Sequence, residues 1–203
     1  MKFETSGSNL IVTLTNTSAS DVLVPADVLT GVFWDVSGSP ISLTRTSAVV
    51  PGTSSVLFGV TDPGGVVGGE WAYRGNIADN PPGHAYGISS AGLDIFGPGD
   101  RFPGNDLQGP PSGSPDGLQY GITSAGDNPA TGNGEVTGSD ALIKNQVVFT
   151  LAGLPSGFDP MARIGGIRFQ YGTGLNEPHF PEPATLGLLA IGLVPALARR
   201  IRR

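Results

Sequence analysis

The chain has 203 residues and a formal net charge of −6 at pH 7, which disfavours nucleic acid as a partner because phosphate binding needs clustered Lys and Arg. It contains no cysteine, and this excludes disulfides, thiolate metal sites and cysteine nucleophiles. Only 14% of residues are charged, against 32 Gly and 18 Pro, a composition poor in helix formers and suited to strands joined by long turns.

In chain order, Met1 to Gly7 lacks the apolar stretch that begins a secretory leader. Given the tail described below, a leader upstream of Met1 is expected. Residues 9–16 alternate, with Leu10, Val12 and Leu14 on one face, and read as a strand. After Pro25, residues 26–32 form the one stretch compatible with a short helix. Residues 29–36 (Leu-Thr-Gly-Val-Phe-Trp-Asp-Val) and 41–50 read as strands around the turn Ser37-Gly38-Ser39-Pro40. Residues 70–74 form a further short strand. The middle, 79–137, is dense in Gly, Pro, Asp, Asn and Ser. Within it Tyr86-Gly87-Ile88-Ser89-Ser90-Ala91-Gly92 is echoed by Tyr120-Gly121-Ile122-Thr123-Ser124-Ala125-Gly126, 34 residues later. Two copies are too few for a solenoid. They are expected to be equivalent strand-to-turn corners, with a packed tyrosine and a glycine at positive φ, and a duplicated ligand site is the alternative. Residues 142–151 and 163–171 are the clearest strands. The expected fold is all-β, an antiparallel β-sandwich or jelly roll with long Gly/Pro-rich loops over residues 1–178.

Candidate chemistry in the body is sparse. A serine triad would have to use His84, since His179 lies beside the tail, and no Gly-x-Ser-x-Gly elbow presents a nucleophile. Carboxylates such as Glu70 and Glu135 show no spacing that selects a hydrolytic pair. Oxygen donors at Asp94, Asp100, Asn105, Asp106 and Asp116, then at Asp127, Asn128, Asn133 and Glu135, could wrap calcium, yet their spacing matches neither the EF-hand loop nor the repeated nonapeptide of β-helix calcium proteins. Turn hydrogen bonding is the other use of such residues, and no cofactor is assigned. Trp71 and Tyr73, two apart, would share a strand face and could stack sugars; filling the core, together with Trp34, is the alternative.

The tail is more specific. Pro181-Glu182-Pro183 is followed by an apolar run from Ala184 to Ala198 and then by Arg199, Arg200, Ile201, Arg202 and Arg203. The prolines forbid helix and hold Glu182 extended in a linker, 179–183. The fifteen-residue run carries no charge and reads as a transmembrane helix within 184–203. At about 1.5 Å per residue it spans roughly 22 Å, short of a bilayer core unless the arginines snorkel. The four arginines place the C-terminus in the cytoplasm and the body outside.

These features resemble the PEP-CTERM sorting signal of Gram-negative bacteria, with Phe180 standing where valine is more usual. The resemblance implies recognition by a membrane-embedded exosortase, transit through the inner membrane, removal of the tail near the triplet, and a final place at the cell surface or outside the cell. In the body, Val28-Leu29-Thr30-Gly31-Val32-Phe33-Trp34-Asp35, Gly121-Ile122-Thr123-Ser124, Leu142-Ile143-Lys144-Asn145 and Arg168-Phe169-Gln170-Tyr171-Gly172-Thr173 resemble a group of exosortase-dependent surface proteins. That likeness implies a non-enzymatic role in exopolysaccharide or biofilm matrix. A secreted carbohydrate-binding module using Trp71 and Tyr73 is the alternative.

Overall fold

The computed structural model describes residues 1–77, 83–96, 107, 117–177 and 179–181. A hairpin opens the chain: β1 (Lys2–Ser6) turns through Gly7, at φ +59°, into β2 (Asn9–Thr15). The alternation of β2 sends Leu10, Val12 and Leu14 inward, each fully buried. β10 (Gln146–Ala152) repeats the pattern with Val147, Phe149 and Leu151. It lies between β2 and β4 (Thr44–Val49), giving a four-stranded antiparallel sheet ordered β1-β2-β10-β4. β1 is an addition to the strands expected from sequence. Its mostly exposed, polar residues give no alternation to detect.

The second sheet has eight strands and is built around β3 (Leu29–Val36). Leu29 to Trp34 are consecutively buried, as in a strand covered on both faces. One edge of β3 pairs with β11 (Ile164–Tyr171), which pairs in turn with β12 (His179–Pro181). The other edge takes two short strands end to end: β7 (Tyr86–Ser89) against Gly31–Trp34, and β8 (Ile122–Thr123) at Leu29. β6 (Ala72–Gly75) pairs with β7, while β9 (Leu142–Lys144) and β5 (Ser55–Leu57) extend the sheet beyond β8. Every pair is antiparallel except β8 with β9, which departs from the wholly antiparallel expectation.

Two expectations are corrected. Residues 142–151 are two strands in two sheets, because Asn145 takes φ +86° and carries the chain across. Residues 26–32 are not a helix. A single 3-10 turn, Pro25–Asp27, is closed by the Asp27 carboxylate accepting the Leu23 and Val24 amides, and Val32, Phe33 and Trp34 then prefer the sheet. The one α-helical segment among the described residues, α1 (Pro160–Arg163), is a single turn capped by Asp159, whose carboxylate accepts the Met161 amide at 3.0 Å.

The chain is thus all-β among its described residues, and the two sheets share one core. Phe149 of the smaller sheet meets Trp71 edge-on at 5.0 Å, and Phe3 meets Trp34 at 5.5 Å. Trp34 also stacks on Tyr86 and Tyr73. A satellite cluster of Phe33, Ala72, Leu93, Ile95 and Phe96 covers the opposite face of the larger sheet. No described helix is long and apolar enough to cross a membrane; the run Ala184 to Ala198 lies outside the described residues.

Candidate functional site

Trp71 and Tyr73 are placed where stacking on a polysaccharide is closed to them. Trp71 is 0% exposed and Tyr73 5%, so both belong to the core rather than to a binding face. Burial raises the Tyr73 phenol above its ordinary value. The sugar-stacking expectation is corrected on this ground: the strand is covered on both sides.

The oxygen donors also separate. Asp94 is an exposed turn residue at φ +56°, while Asp100, Asn105, Asp106 and Asp116 lie outside the described residues. Asn128 and Asn133 spend their side-chain oxygens on the amides of Ala130 and Glu135. That is Asx turn chemistry. Asp127 instead turns inward, where Oδ1 accepts the Val22 amide at 3.1 Å. Its side chain faces Asp21, a partner the sequence reading did not single out. Asp21 accepts from Thr131 Oγ1 and, at 2.8 Å, from the Asn128 amide. These hydrogen bonds lower the Asp21 carboxyl, whereas burial raises that of Asp127. Lys144 Nζ donates to the Asp127 carbonyl at 2.6 Å. The cluster ties the loop before β3 to the loop after β8. Among the described residues no three of His, Asp and Glu converge in a metal-ligating group.

His84 Nδ1 lies 2.8 Å from Asp35 Oδ2, and Asp35 Oδ1 accepts the Ala85 amide at 2.9 Å. The pair braces the start of β7 against β3 where β11 bulges past Gly165 and Gly166. The contact is a bracing geometry.

A cleft of about 230 Å³ opens between the turn 60–66, the 3-10 turn Gly68–Glu70 and Tyr120. Its lining includes Asp62 and Glu70. The Tyr120 hydroxyl donates to the Val60 carbonyl at 2.7 Å. Burial, and then the charges of Glu70 and Asp62, raise the Tyr120 phenol. A second cleft, of about 290 Å³, is lined by Asn16, Ser18, Ser20, Asp27, Ser124 and Tyr171, beside Asp21.

The tail motif is reached by β12. Its residues pair with β11 in the register Gln170↔His179, Phe169↔Phe180 and Arg168↔Pro181. The turn between the two strands is clasped. Glu177 Oε2 accepts the amides of Thr173 and Gly174, each at 2.6 Å, and Gln170 Nε2 donates to the Gly174 and Tyr171 carbonyls, each at 2.9 Å. Pro181 is therefore the end of an edge strand, a position where a residue without an N–H costs the ladder little. Glu182, Pro183, the apolar run and Arg199, Arg200, Arg202 and Arg203 lie outside the described residues. Comparison with protein-family models, with curated proteins and with solved structures gives no match for this chain.

Proposed function

We propose that this chain is a non-enzymatic exported protein of a Gram-negative bacterium, a β-sandwich body carried on a C-terminal sorting signal. The membrane-embedded exosortase recognises Pro181-Glu182-Pro183, the run Ala184 to Ala198 spans the inner membrane in transit, and Arg199, Arg200, Arg202 and Arg203 stop it on the cytoplasmic side. The processed body then resides at the cell surface or outside the cell, associated with exopolysaccharide or biofilm matrix.

One observation carries the reading: a helix-breaking triplet, an uncharged apolar run and an arginine cluster stand in that order with nothing between them. Each part has its own physical job, and the order suits a substrate presented at a membrane face. The clasped β11–β12 hairpin supports it by delivering the chain to the triplet from a fixed edge of the body. The near absence of cationic clusters from an acidic body fits a partner other than nucleic acid.

Replacing Pro181, Glu182 and Pro183 together by alanine tests the proposal. Full-length precursor should accumulate in the inner-membrane fraction while the wild-type body leaves it. Equal release of the two proteins would contradict recognition of the triplet.

A further inference from the structure

We infer that Asn133 is a self-modifying site: its side-chain amide closes onto the Gly134 nitrogen, ammonia leaves, and the position becomes aspartate or isoaspartate. The inference concerns the body alone and is independent of the sorting reading.

Ring closure at an asparagine needs the next backbone nitrogen to reach the side-chain carbon Cγ, and a side chain on that next residue stands in the way. Asn133 is the one asparagine of the chain followed by glycine. The structure leaves the approach open. Asn133 and Gly134 are both exposed, and a Cβ placed on Gly134 would meet nothing within 4 Å. The amides around it are engaged: Asn133 N–H donates to the Leu23 carbonyl at 2.9 Å, and Val136 N–H to the Asn133 carbonyl at 3.2 Å. The Gly134 N–H has no acceptor among the described residues, so no hydrogen bond must break to free the attacking nitrogen.

The side chain is also set for attack. Glu135 N–H donates to Asn133 Oδ1 at 3.1 Å, a bond that spans Gly134 and folds the amide over its peptide. The same donor stabilises the charge that gathers on Oδ1 as Cγ becomes tetrahedral. Beyond Glu135 the backbone leaves helical geometry at Thr137 and Gly138, so no regular helix locks the segment.

In the reaction the Gly134 nitrogen gives up its proton to water and bonds to Cγ. The bond from Cγ to Nδ2 breaks, and Nδ2 departs with a proton as ammonia, leaving a five-membered succinimide. Water then opens the ring. Attack at Cγ leaves aspartate, and attack at the main-chain carbonyl leaves isoaspartate, whose backbone runs through the former side chain.

The change falls on a loop that anchors core. The Asn133 carbonyl accepts Thr137 Oγ1 at 2.7 Å as well as the Val136 amide, and Val136 is buried with Val22, Val28, Leu118 and Leu142. Isoaspartate adds a methylene between the Leu23 tie and this turn, and it places a new carboxylate beside Glu135.

The experiment holds the full chain warm at neutral pH for several weeks, wild type beside Gly134→Ala, and reads it by peptide mass spectrometry. Gly134 has φ −61° and open space around it, so the alanine variant fits the same backbone. Wild type is expected to show at Asn133 the mass gain of NH2 exchanged for OH, and to become a substrate for an isoaspartate-specific methyltransferase. Gly134→Ala should slow the change by about tenfold, the effect of a Cβ on the attacked side. An unchanged Asn133 peptide in wild type overturns the inference. So does another asparagine that changes first, or a Gly134→Ala protein that ages as fast as wild type.

Discussion

Asp127 shows how far a single residue can be read in advance. Among Asn128, Asn133 and Glu135 it looks like another loop donor, and three of those four do serve or border turns. Its burial comes from Val22 and Asp21, more than a hundred residues away, and no local spacing encodes that contact. The pH consequence follows from direction. Burial raises the folded-state carboxyl of Asp127, so folding favours its protonated form; its contribution is greatest in acid and is lost as pH rises through the raised value. Asp21 is lowered by its hydrogen bonds, so its contribution is present at neutral pH and is lost in acid. Asp127→Asn removes the first effect and leaves in place the hydrogen bonds from Thr131 and Asn128 that chiefly lower Asp21. Its melting temperature relative to wild type should therefore improve from about pH 4 to about pH 8, read by thermal unfolding across that range. An offset constant with pH would show that Asp127 does not titrate on folding.

At the scale of elements, the strands with strong alternation or continuous apolar runs were legible. β2 and β3 fall where their residues place them, because each period has one stable way to bury its face. What sequence could not show was partnership. The continuous run 142–151 hides a crossing at Asn145, and β1 and β12 owe their strand form to neighbours rather than to pattern. The echoed heptapeptides were read as corners with glycine at positive φ, and here the structure differs. They are β7 and β8, successive strands on one edge of β3, and neither Gly87 nor Gly121 takes a positive φ. Tyr120 takes it instead, at +55°. The glycines are there for closeness: a Cβ on Gly87 would lie 2.7 Å from Phe33 Cδ1, and one on Gly121 would lie 2.5 Å from Val28 Cγ1. Gly87→Ala is thus expected to cost about 1–3 kcal/mol through overpacking, measured by urea unfolding. A neutral or stabilising change would mean that the β3–β7 contact relaxes freely.

At the scale of the molecule, the two sources of information are nearly disjoint. The tail's pattern is local, three compositional blocks in order over about two dozen residues. The body is a long-range object: two sheets meeting through Trp71 against Phe149 and Phe3 against Trp34. The same packing withdraws Trp71 and Tyr73 from any surface role and leaves the Asp62–Glu70–Tyr120 cleft as a site no motif announces. Only the meeting of the stretch 60–70 with the distant Tyr120 creates it. The hairpin of β11 and β12 joins body to tail, so the account stands on the fate of that junction. Intact-mass measurement of the protein recovered from outside the inner membrane tests it most directly. The account predicts a mass lacking the segment from Ala184 to Arg203, and a recovered protein still carrying Arg203 would contradict it.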